Sequence, residues 1–200
     1  QISIIMKHTL LIKDWLSSFL SLLFPRCCVV CGRPLAKGEE CICTVCNINL
    51  PRTNYHLRKD NPVERLFWGQ IPLERATSFF FYEKGSDFRL ILHRLKYGGQ
   101  KEIGAIMGRY MAAELLSSNF FQGIDVIIPI PLHKKKQQIR GYNQSEWIAR
   151  GIAAVTGIPI DTESILRKKN TETQTRKSVF ERRDNVEGIF ELQHPETLAG

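Results

Sequence analysis

Two cysteine pairs near the start of the chain constrain its folding more than any other feature. The pairs Cys28-x-x-Cys31 and Cys43-x-x-Cys46 each have the two-residue gap that lets both thiolates reach one tetrahedral metal ion. A short segment that contains glycine and proline separates the pairs and favours turns. Zn²⁺ prefers such a Cys₄ environment, and a closed Cys₄ site is structural because no coordination position is left for a substrate.

All six cysteines lie within residues 27–46, and the remaining chain has none. A secreted disulfide protein would usually spread its cysteines over the fold, so the clustering favours a reducing, cytoplasmic location and a metal site. From spacing alone, Cys27 or Cys41 could replace a neighbouring ligand, although both alternatives suit a metal-binding turn less well. The remaining alternative is that some of these thiols are free and reduced.

Residues 9–24 form a hydrophobic segment that resembles a membrane span at first sight. Lys13 and Asp14 interrupt it, and three serines continue a polar stripe opposite the leucines and aromatic residues. The pattern predicts an amphipathic helix within residues 1–24 that is too short and too interrupted to cross a bilayer. No signal-peptide cleavage site precedes the cysteines. The apolar face is expected to dock on the body of the protein, and binding to a membrane surface is the alternative.

The cysteine module is expected to occupy residues 25–51, and one α/β domain is expected at residues 52–200. An irregular connection is predicted at 51–74. Strands are predicted at 76–82, at 125–130, within 158–166 and at 188–192. Helices are predicted from a cap at Ser86 to Gly98, from Lys101 to Ser117, and from a cap at Asn143 to Gly157. The apolar run at 125–130 is typical of a buried parallel strand, so the order of elements predicts a right-handed βαβ unit.

Positive charge is concentrated in two segments of a chain whose net charge is +8 and whose pI is near 9.3. Residues 131–141 hold Lys134, Lys135, Lys136 and Arg140 without an acidic residue, and residues 167–183 hold seven basic residues and two acidic ones. Both segments are predicted to be loops after strands, where open parallel sheets bind ligands. They suit a multiply phosphorylated small molecule. The alternatives are two solvated loops, or a nucleic-acid patch with Tyr142 and Phe180 as stacking residues.

Several motifs together resemble the ComF/GntX family of phosphoribosyltransferase-like proteins, and the resemblance covers nearly all of residues 24–200. The motifs are CVVCG, LPRT, ERA, LKYGG, DVIIPIPLH, RGYNQSEWIARGIA, TQTRKSVFERRDNV and LAG. The resemblance implies a type I phosphoribosyltransferase-like parallel sheet flanked by helices, preceded by a small Cys₄ zinc module. It narrows the zinc ligands to Cys28, Cys31, Cys43 and Cys46 and leaves Cys27 and Cys41 spare.

The resemblance also implies a ligand, phosphoribosyl pyrophosphate (PRPP) bound with Mg²⁺. The loop that grips pyrophosphate corresponds here to Leu132, His133 and Lys134, aided by Arg140. A second loop, expected to close over the reaction centre, has the residues Thr173, Gln174, Thr175, Arg176 and Lys177. Basic side chains would neutralise the departing pyrophosphate in a glycosyltransferase reaction.

The chain departs from the family pattern at its end. The family continues after LAG with an apolar strand and an acidic, Gly/Thr-rich motif that holds the ribose hydroxyls and 5′-phosphate, whereas this sequence stops at Gly200. We therefore expect the fold to be incomplete at the C-terminus, with a strand edge left unpaired. Residues 1–200 alone are expected to be inactive as a transferase.

The resemblance leads to two main hypotheses about function. The first is a ComF-type protein that binds PRPP or a related phosphorylated ribose and takes part in DNA uptake and single-stranded DNA handling in natural competence. The second is a non-catalytic adaptor on the same fold that docks nucleic acid or a competence helicase-like protein. A purine-salvage or amidotransferase-like enzyme ranks last, because neither an acceptor-base site nor an N-terminal nucleophilic cysteine is recognisable.

Overall fold

The computed structural model describes residues 24–169, 188–193 and 195, which form a mixed helix and strand architecture with a small sheet. The α-helices of these ranges are α1 (Thr44–Ile48), α2 (Pro62–Arg65), α3 (Arg89–Tyr97), α4 (Glu102–Leu115), α5 (Lys134–Arg140) and α6 (Gln144–Thr156). Short 3-10 helices occur at Tyr55–Leu57 and Leu116–Ser118. The strands are β1 (Ile165–Arg167) and β2 (Phe190–Leu192).

Helix α3 buries the face that its hydrophobic spacing predicts, with Ile91 and Leu95 almost fully inaccessible. It ends at Gly98, as predicted. Its start differs from the prediction, because the helix begins at Arg89 and Ser86 is not its cap. The Ser86 hydroxyl instead accepts a hydrogen bond from the Phe88 amide at 3.2 Å, which forms a turn that leads into the helix.

Helices α4 and α6 form a closely packed pair at the centre of the molecule. The predicted Asn143 cap of α6 is confirmed, since its side chain accepts a hydrogen bond from the Ser145 amide at 3.1 Å. Its large apolar residues recur at helical spacing, which predicts that they are buried, but they are only partly buried: Trp147, Ile148, Ile152 and Val155. The most buried positions on the helix are smaller residues, among them Ala149 and Gly151. Small residues let the two backbones approach closely, so the larger side chains are displaced to the flanks.

The sheet is smaller than predicted, and its pairing differs from a parallel sheet. Strand β1 pairs with β2 in antiparallel register, with Ile165 opposite Leu192. The segments predicted as strands at 125–130 and 158–166 meet in one isolated parallel bridge between Ile127 and Ile160. Prolines at 129, 131 and 159 have no amide hydrogen to donate, so the ladder cannot extend beyond that bridge.

The segment 76–82 is also extended but makes only one antiparallel bridge, between Phe80 and Arg52. Pro51, the neighbour of Arg52, accepts a hydrogen bond from the Phe81 amide at 2.8 Å but cannot donate one in return. The predicted strand is therefore reduced to a single bridge.

The connection predicted as irregular at 51–74 contains ordered elements. Helix α2 begins at a capping box, in which the Asn61 side chain accepts from the Glu64 amide and the Glu64 carboxylate accepts from the Asn61 amide at 3.1 Å. Both residues are buried, as is His56. The prediction missed this helix because the capping signal stands before only one turn of helix.

Several predictions concern residues outside the described ranges. The amphipathic helix predicted within residues 1–24 lies outside them, apart from Phe24, and so do Thr173, Gln174, Thr175, Arg176 and Lys177. Within the described ranges, the helices are all too short or too polar to cross a membrane.

Candidate metal centre and basic cleft

The first cysteine pair is held by a tight turn. The Cys28 amide donates to the Arg33 carbonyl at 2.8 Å, and the Gly32 amide donates back to the Cys28 carbonyl at 2.9 Å. Gly32 has φ 72°, a left-handed conformation that glycine adopts without a steric penalty. The turn brings Cys31 back beside Cys28, so both thiols point to one place.

The second pair sits at the start of α1. Cys43 is the N-cap residue and Cys46 is buried in the helix, one turn later. The Glu39 carboxylate accepts hydrogen bonds from the Thr44 amide at 2.6 Å and from the Ala36 amide at 2.8 Å. These bonds, the Thr44 amide first, lower the pKa of Glu39 below its ordinary value. Glu39 thereby fixes α1 against the loop between the two pairs.

The four thiols converge on a volume the size of a metal ion. The ligand atoms of Cys28, Cys31, Cys43 and Cys46 all lie within 4.8 Å of one another, and the sulfurs of Cys31 and Cys43 are 3.7 Å apart. A tetrahedral zinc site with Zn–S bonds of about 2.3 Å has sulfur atoms about 3.8 Å apart. The donor set and spacing therefore fit a metal ion such as zinc.

Hydrogen-bond donors face two of the four sulfur atoms. The Cys43 amide points at the Cys28 sulfur at 3.3 Å, and the Arg33 Nε points at the Cys31 sulfur at 3.5 Å. The Arg33 side chain, followed by its backbone amide, lowers the pKa of Cys31 to about 6. Burial, together with hydrogen bonds from the other three thiols, raises the pKa of Cys46. A divalent cation would offset that cost, because it displaces the protons of the thiols that it binds.

The two spare cysteines lie apart from this cluster. Cys27 is exposed, and its sulfur lies 3.4 Å from the Pro25 carbonyl oxygen. Cys41 is buried, and burial followed by the charge of Glu40 raises its pKa to about 12. Cys41 is not among the four thiols whose sulfur atoms converge. The geometry therefore favours Cys28, Cys31, Cys43 and Cys46 over Cys27 and Cys41 as the residues that could hold a metal ion.

The cysteine module shares one hydrophobic core with α3 and α4. Ile42 and Leu50 belong to the same buried cluster as Ile91, Leu95 and Met107. Two arginines reinforce the contact. Arg109 of α4 pairs with Glu40 at 2.5 Å, and Arg52 pairs with Glu114 of α4 at 2.5 Å. Arg52 also donates to the Asn47 side chain at 2.8 Å, which secures the end of α1.

A basic cleft lies where the extended segment before α5 meets β1. Its volume is about 430 Å³. Its lining comprises Pro129, Pro131, Leu132, His133, Lys134, Gln137, Asn143, Glu146, Thr162, Leu166, Arg167 and Lys168. The Asn143 side chain donates to the Ile130 carbonyl at 3.0 Å and so ties the start of α6 to this segment.

The predicted pyrophosphate residues divide between two places. Leu132, His133 and Lys134 line the basic cleft together. Arg140 does not line it, since its guanidinium lies 5.4 Å from the centre of the Tyr97 ring and donates to Gln144 at 2.9 Å. Most of the predicted loop is in fact helix α5, Lys134–Arg140, and His133 is its N-cap residue. The His133 ring accepts from the Lys135 amide at 3.3 Å, and Gly141, with φ 78°, ends the helix.

The prediction missed part of the cleft. The sequence indicates Arg167 and Lys168 only through the charge of the second basic segment, and it gives no signal for Thr162. Burial, together with the charges of Arg167 and Arg140, lowers the pKa of Lys136. These cations lie close together beside the cleft and repel one another, and a bound anion would reduce that repulsion. The carboxylate in the lining, Glu146, is paired with Arg150 at 2.7 Å.

The chain is similar to curated proteins over most of its length. DNA utilization protein YhgH of Escherichia coli O157:H7 is 30% identical over 186 residues, which are 86% of this chain and 79% of that protein. Competence protein ComFC of Bacillus subtilis is 25% identical over 181 residues, which are 88% of this chain and 73% of that protein. Competence protein F of Haemophilus influenzae is 29% identical over 106 residues, covering 52% of this chain and 46% of that protein. No family model and no solved structure matches the chain.

Proposed function

The chain belongs to the ComF family, together with the YhgH proteins, and from this premise we propose that it acts in the uptake and use of DNA. The names of the relatives support the proposal, since they are called DNA utilization and competence proteins. The net charge of +8 agrees with a role beside nucleic acid or phosphorylated ligands.

Within that role, the basic cleft binds PRPP or a related phosphorylated ribose. The observation that carries this proposal is the meeting of Lys134, Arg167 and Lys168 around one cleft of about 430 Å³. His133 and Lys134 would hold the pyrophosphate, and Thr162 would offer a hydroxyl to the ribose or a phosphate. The phosphoribosyltransferase-like domain would extend over residues 52–200, with the bridge between Ile127 and Ile160 as part of its parallel sheet.

Mg²⁺ would enter this cleft with the ligand. Protein sites for Mg²⁺ usually combine one or two carboxylates with substrate phosphates. Glu146 is already paired with Arg150, so the phosphates of PRPP, and not this carboxylate, would supply most of the ligands. The magnesium ion would neutralise part of the pyrophosphate charge, and Lys134 and Arg167 would bind the remainder. Lys168 is paired with Glu191 at 2.6 Å, so it would join them only by exchanging that partner for a phosphate.

The test is calorimetric titration of the full-length protein with PRPP and Mg²⁺. Lys134→Ala is expected to weaken binding roughly tenfold or more, because a charge-assisted hydrogen bond is lost. Lys134 is exposed, so the fold is expected to be kept. Lys59→Ala is the matched control, since Lys59 is an exposed lysine outside the cleft. Absence of PRPP binding, or equal effects of the two substitutions, would refute the ligand proposal.

A non-catalytic adaptor for nucleic acid is the second candidate. It is favoured by helix α5, which carries Lys134, Lys135, Lys136 and Arg140 within seven residues. Its signature is DNA binding whose affinity falls steeply as salt rises. Replacing these four residues with glutamate is expected to abolish that binding. Binding that survives the replacement would exclude α5 as the site.

A further inference from the structure

A second cleft, of about 690 Å³, runs along the exposed side of α3. We call it the tyrosine cleft, because Tyr82 and Tyr97 line it with Arg89, His93 and Lys96, beside two leucines. The helix spacing explains the arrangement. Residues 89, 93 and 96–97 follow one another at intervals of three or four and so share a face, opposite the buried Ile91 and Leu95. Among the described residues, this cleft and the basic cleft have no lining residue in common.

The tyrosine cleft presents aromatic rings to solvent. Tyr82 and Tyr97 are each 59% exposed. The His93 ring lies 5.3 Å from the Tyr97 ring and is tilted against it by 51°. The guanidinium of Arg140 lies 5.4 Å from the centre of the Tyr97 ring. Tyr97 keeps most of its exposure despite these contacts, so it can still stack on an incoming flat ring.

The charge of the tyrosine cleft is positive. Arg89 and Lys96 belong to its lining, and none of the described lining residues is acidic. The Arg89 guanidinium donates to the Lys84 carbonyl at 2.9 Å, which holds this cation at one end of the cleft. Lys96 lies two turns further along the helix, beside Tyr97. Exposed rings are therefore flanked by cations along one side of a helix.

We propose that the tyrosine cleft binds single-stranded DNA, with bases stacked on Tyr82 and Tyr97 and phosphates near Arg89 and Lys96. Proteins that hold single strands combine aromatic stacking surfaces with a positively charged groove. A duplex keeps its base faces inside the helical stack, so the exposed tyrosines would gain little from it. This inference rests on the proposed role in DNA use, but it assigns the strand to a surface separate from the basic cleft.

The test is fluorescence anisotropy of the full-length protein with a labelled oligothymidine of about 20 nucleotides at about 50 mM salt. Tyr97→Ala is expected to weaken binding about tenfold, the loss of one stacked base. Tyr97→Phe retains the ring and is expected to stay within about twofold of the unsubstituted protein. A duplex of the same length is expected to bind more weakly, and it should not distinguish Tyr97→Ala from the unsubstituted protein.

Trp68→Ala provides a matched control. Trp68 is also 59% exposed and also carries an arginine over its ring, Arg65 at 5.7 Å, but it does not line the tyrosine cleft. It is expected to leave binding unchanged. An equal loss in Trp68→Ala and Tyr97→Ala would overturn the inference, as would an unaltered affinity in Tyr97→Ala. A tighter complex with the corresponding RNA would overturn the assignment to DNA.

Lys134→Ala separates this inference from the proposed PRPP site. It is expected to leave oligothymidine binding unchanged while it weakens PRPP binding. If it weakens oligothymidine binding and Tyr97→Ala does not, the strand lies in the basic cleft and the inference is wrong. If the protein binds no PRPP but loses oligothymidine in Tyr97→Ala, the ligand proposal fails and the inference stands.

Discussion

The crossing of α4 and α6 gives the most quantitative prediction about the fold. A Cβ atom added at Gly151 would lie 2.0 Å from the Ala105 carbonyl oxygen and 2.9 Å from the Arg109 amide nitrogen. Both atoms belong to the backbone of α4, so neither can rotate away as a side chain can. Gly151→Ala therefore forces the two helices apart by roughly 1 Å.

The expected cost follows from two opposing effects. Replacing a helical glycine by alanine stabilises a helix by about 1 kcal/mol. Overpacking costs about 1–3 kcal/mol or more, and the upper end applies because the contact is with backbone. The net expectation is a loss of about 2 kcal/mol or more. For a chain of 200 residues, this corresponds to a fall in melting temperature of about 4–8 °C.

Thermal unfolding followed by circular dichroism measures this effect, and two other glycines calibrate it. A Cβ at Gly85 would meet nothing within 4 Å, so Gly85→Ala is expected to be neutral or slightly stabilising. A Cβ at Gly104 would meet the Trp147 Cβ at 3.0 Å, which the backbone fixes, and the Leu95 Cδ1 at 3.1 Å, which can rotate away, so its effect should be intermediate. Equal melting temperatures for Gly151→Ala and Gly85→Ala would refute the close approach of α4 and α6.

Three further predictions test the metal centre, the arginine network and a buried phenol. Cys28→Ser is expected to lower the zinc content, measured by elemental analysis, well below about one ion per chain. Cys27→Ser is the control and is expected to leave the zinc content unchanged. Zinc retained in Cys28→Ser would contradict the ligand set. Arg52→Ala is expected to lower the free energy of unfolding, measured with a chemical denaturant, by about 2 kcal/mol, because it breaks contacts to Glu114 and Asn47. Arg150→Ala removes an exposed ion pair and should lower it by less than about 0.5 kcal/mol. Similar losses in the two variants would argue against the arginine network. Burial, followed by the charge of Glu102, raises the pKa of Tyr142, whose hydroxyl donates to the Leu95 carbonyl at 2.6 Å. Since its folded pKa lies above the unfolded value of about 10, the stabilisation is complete below that pH and is lost as pH rises through the folded pKa. As pH rises above about 10, the free energy of unfolding should therefore fall less in Tyr142→Phe than in the unsubstituted protein. An equal fall in the two proteins would count against this explanation.

The sequence predicted best those features whose signals are local. The spacing of the cysteines and the glycine after Cys31 define a turn with few alternatives, and the four sulfurs meet within 4.8 Å. The caps and stops of α6 depend on Asn143 and Gly157, which act on their own neighbours. Helices α3 and α4 follow the spacing of residues such as Ile91 and Leu95, because a helix buries the face on which its apolar residues recur.

The features that the sequence did not predict depend on partners far along the chain. The strand at 125–130 needed a neighbour that could complete its ladder, and the prolines on both segments limit the pairing to one bridge. The basic cleft forms where Leu132 and Lys168 come together, and the sequence does not indicate this contact because 35 residues separate them. Arg140 was expected at the pyrophosphate site but lies over Tyr97 instead, and nothing near it in the sequence indicates that contact.

Helix α4 connects the cysteine module to the rest of the molecule. Arg109 of α4 pairs with Glu40 in the middle of the cysteine module, and Glu114 of α4 pairs with Arg52 just after its end. Gly108 places the same helix against Ile148 of α6. The N-cap residue of α6, Asn143, then holds the Ile130 carbonyl, which lies between two prolines that line the basic cleft. The cysteine module and the cleft are thus joined by a continuous series of packed helices and hydrogen bonds, so a metal ion bound by the module would support the cleft by ordering α4 without contributing a ligand to it.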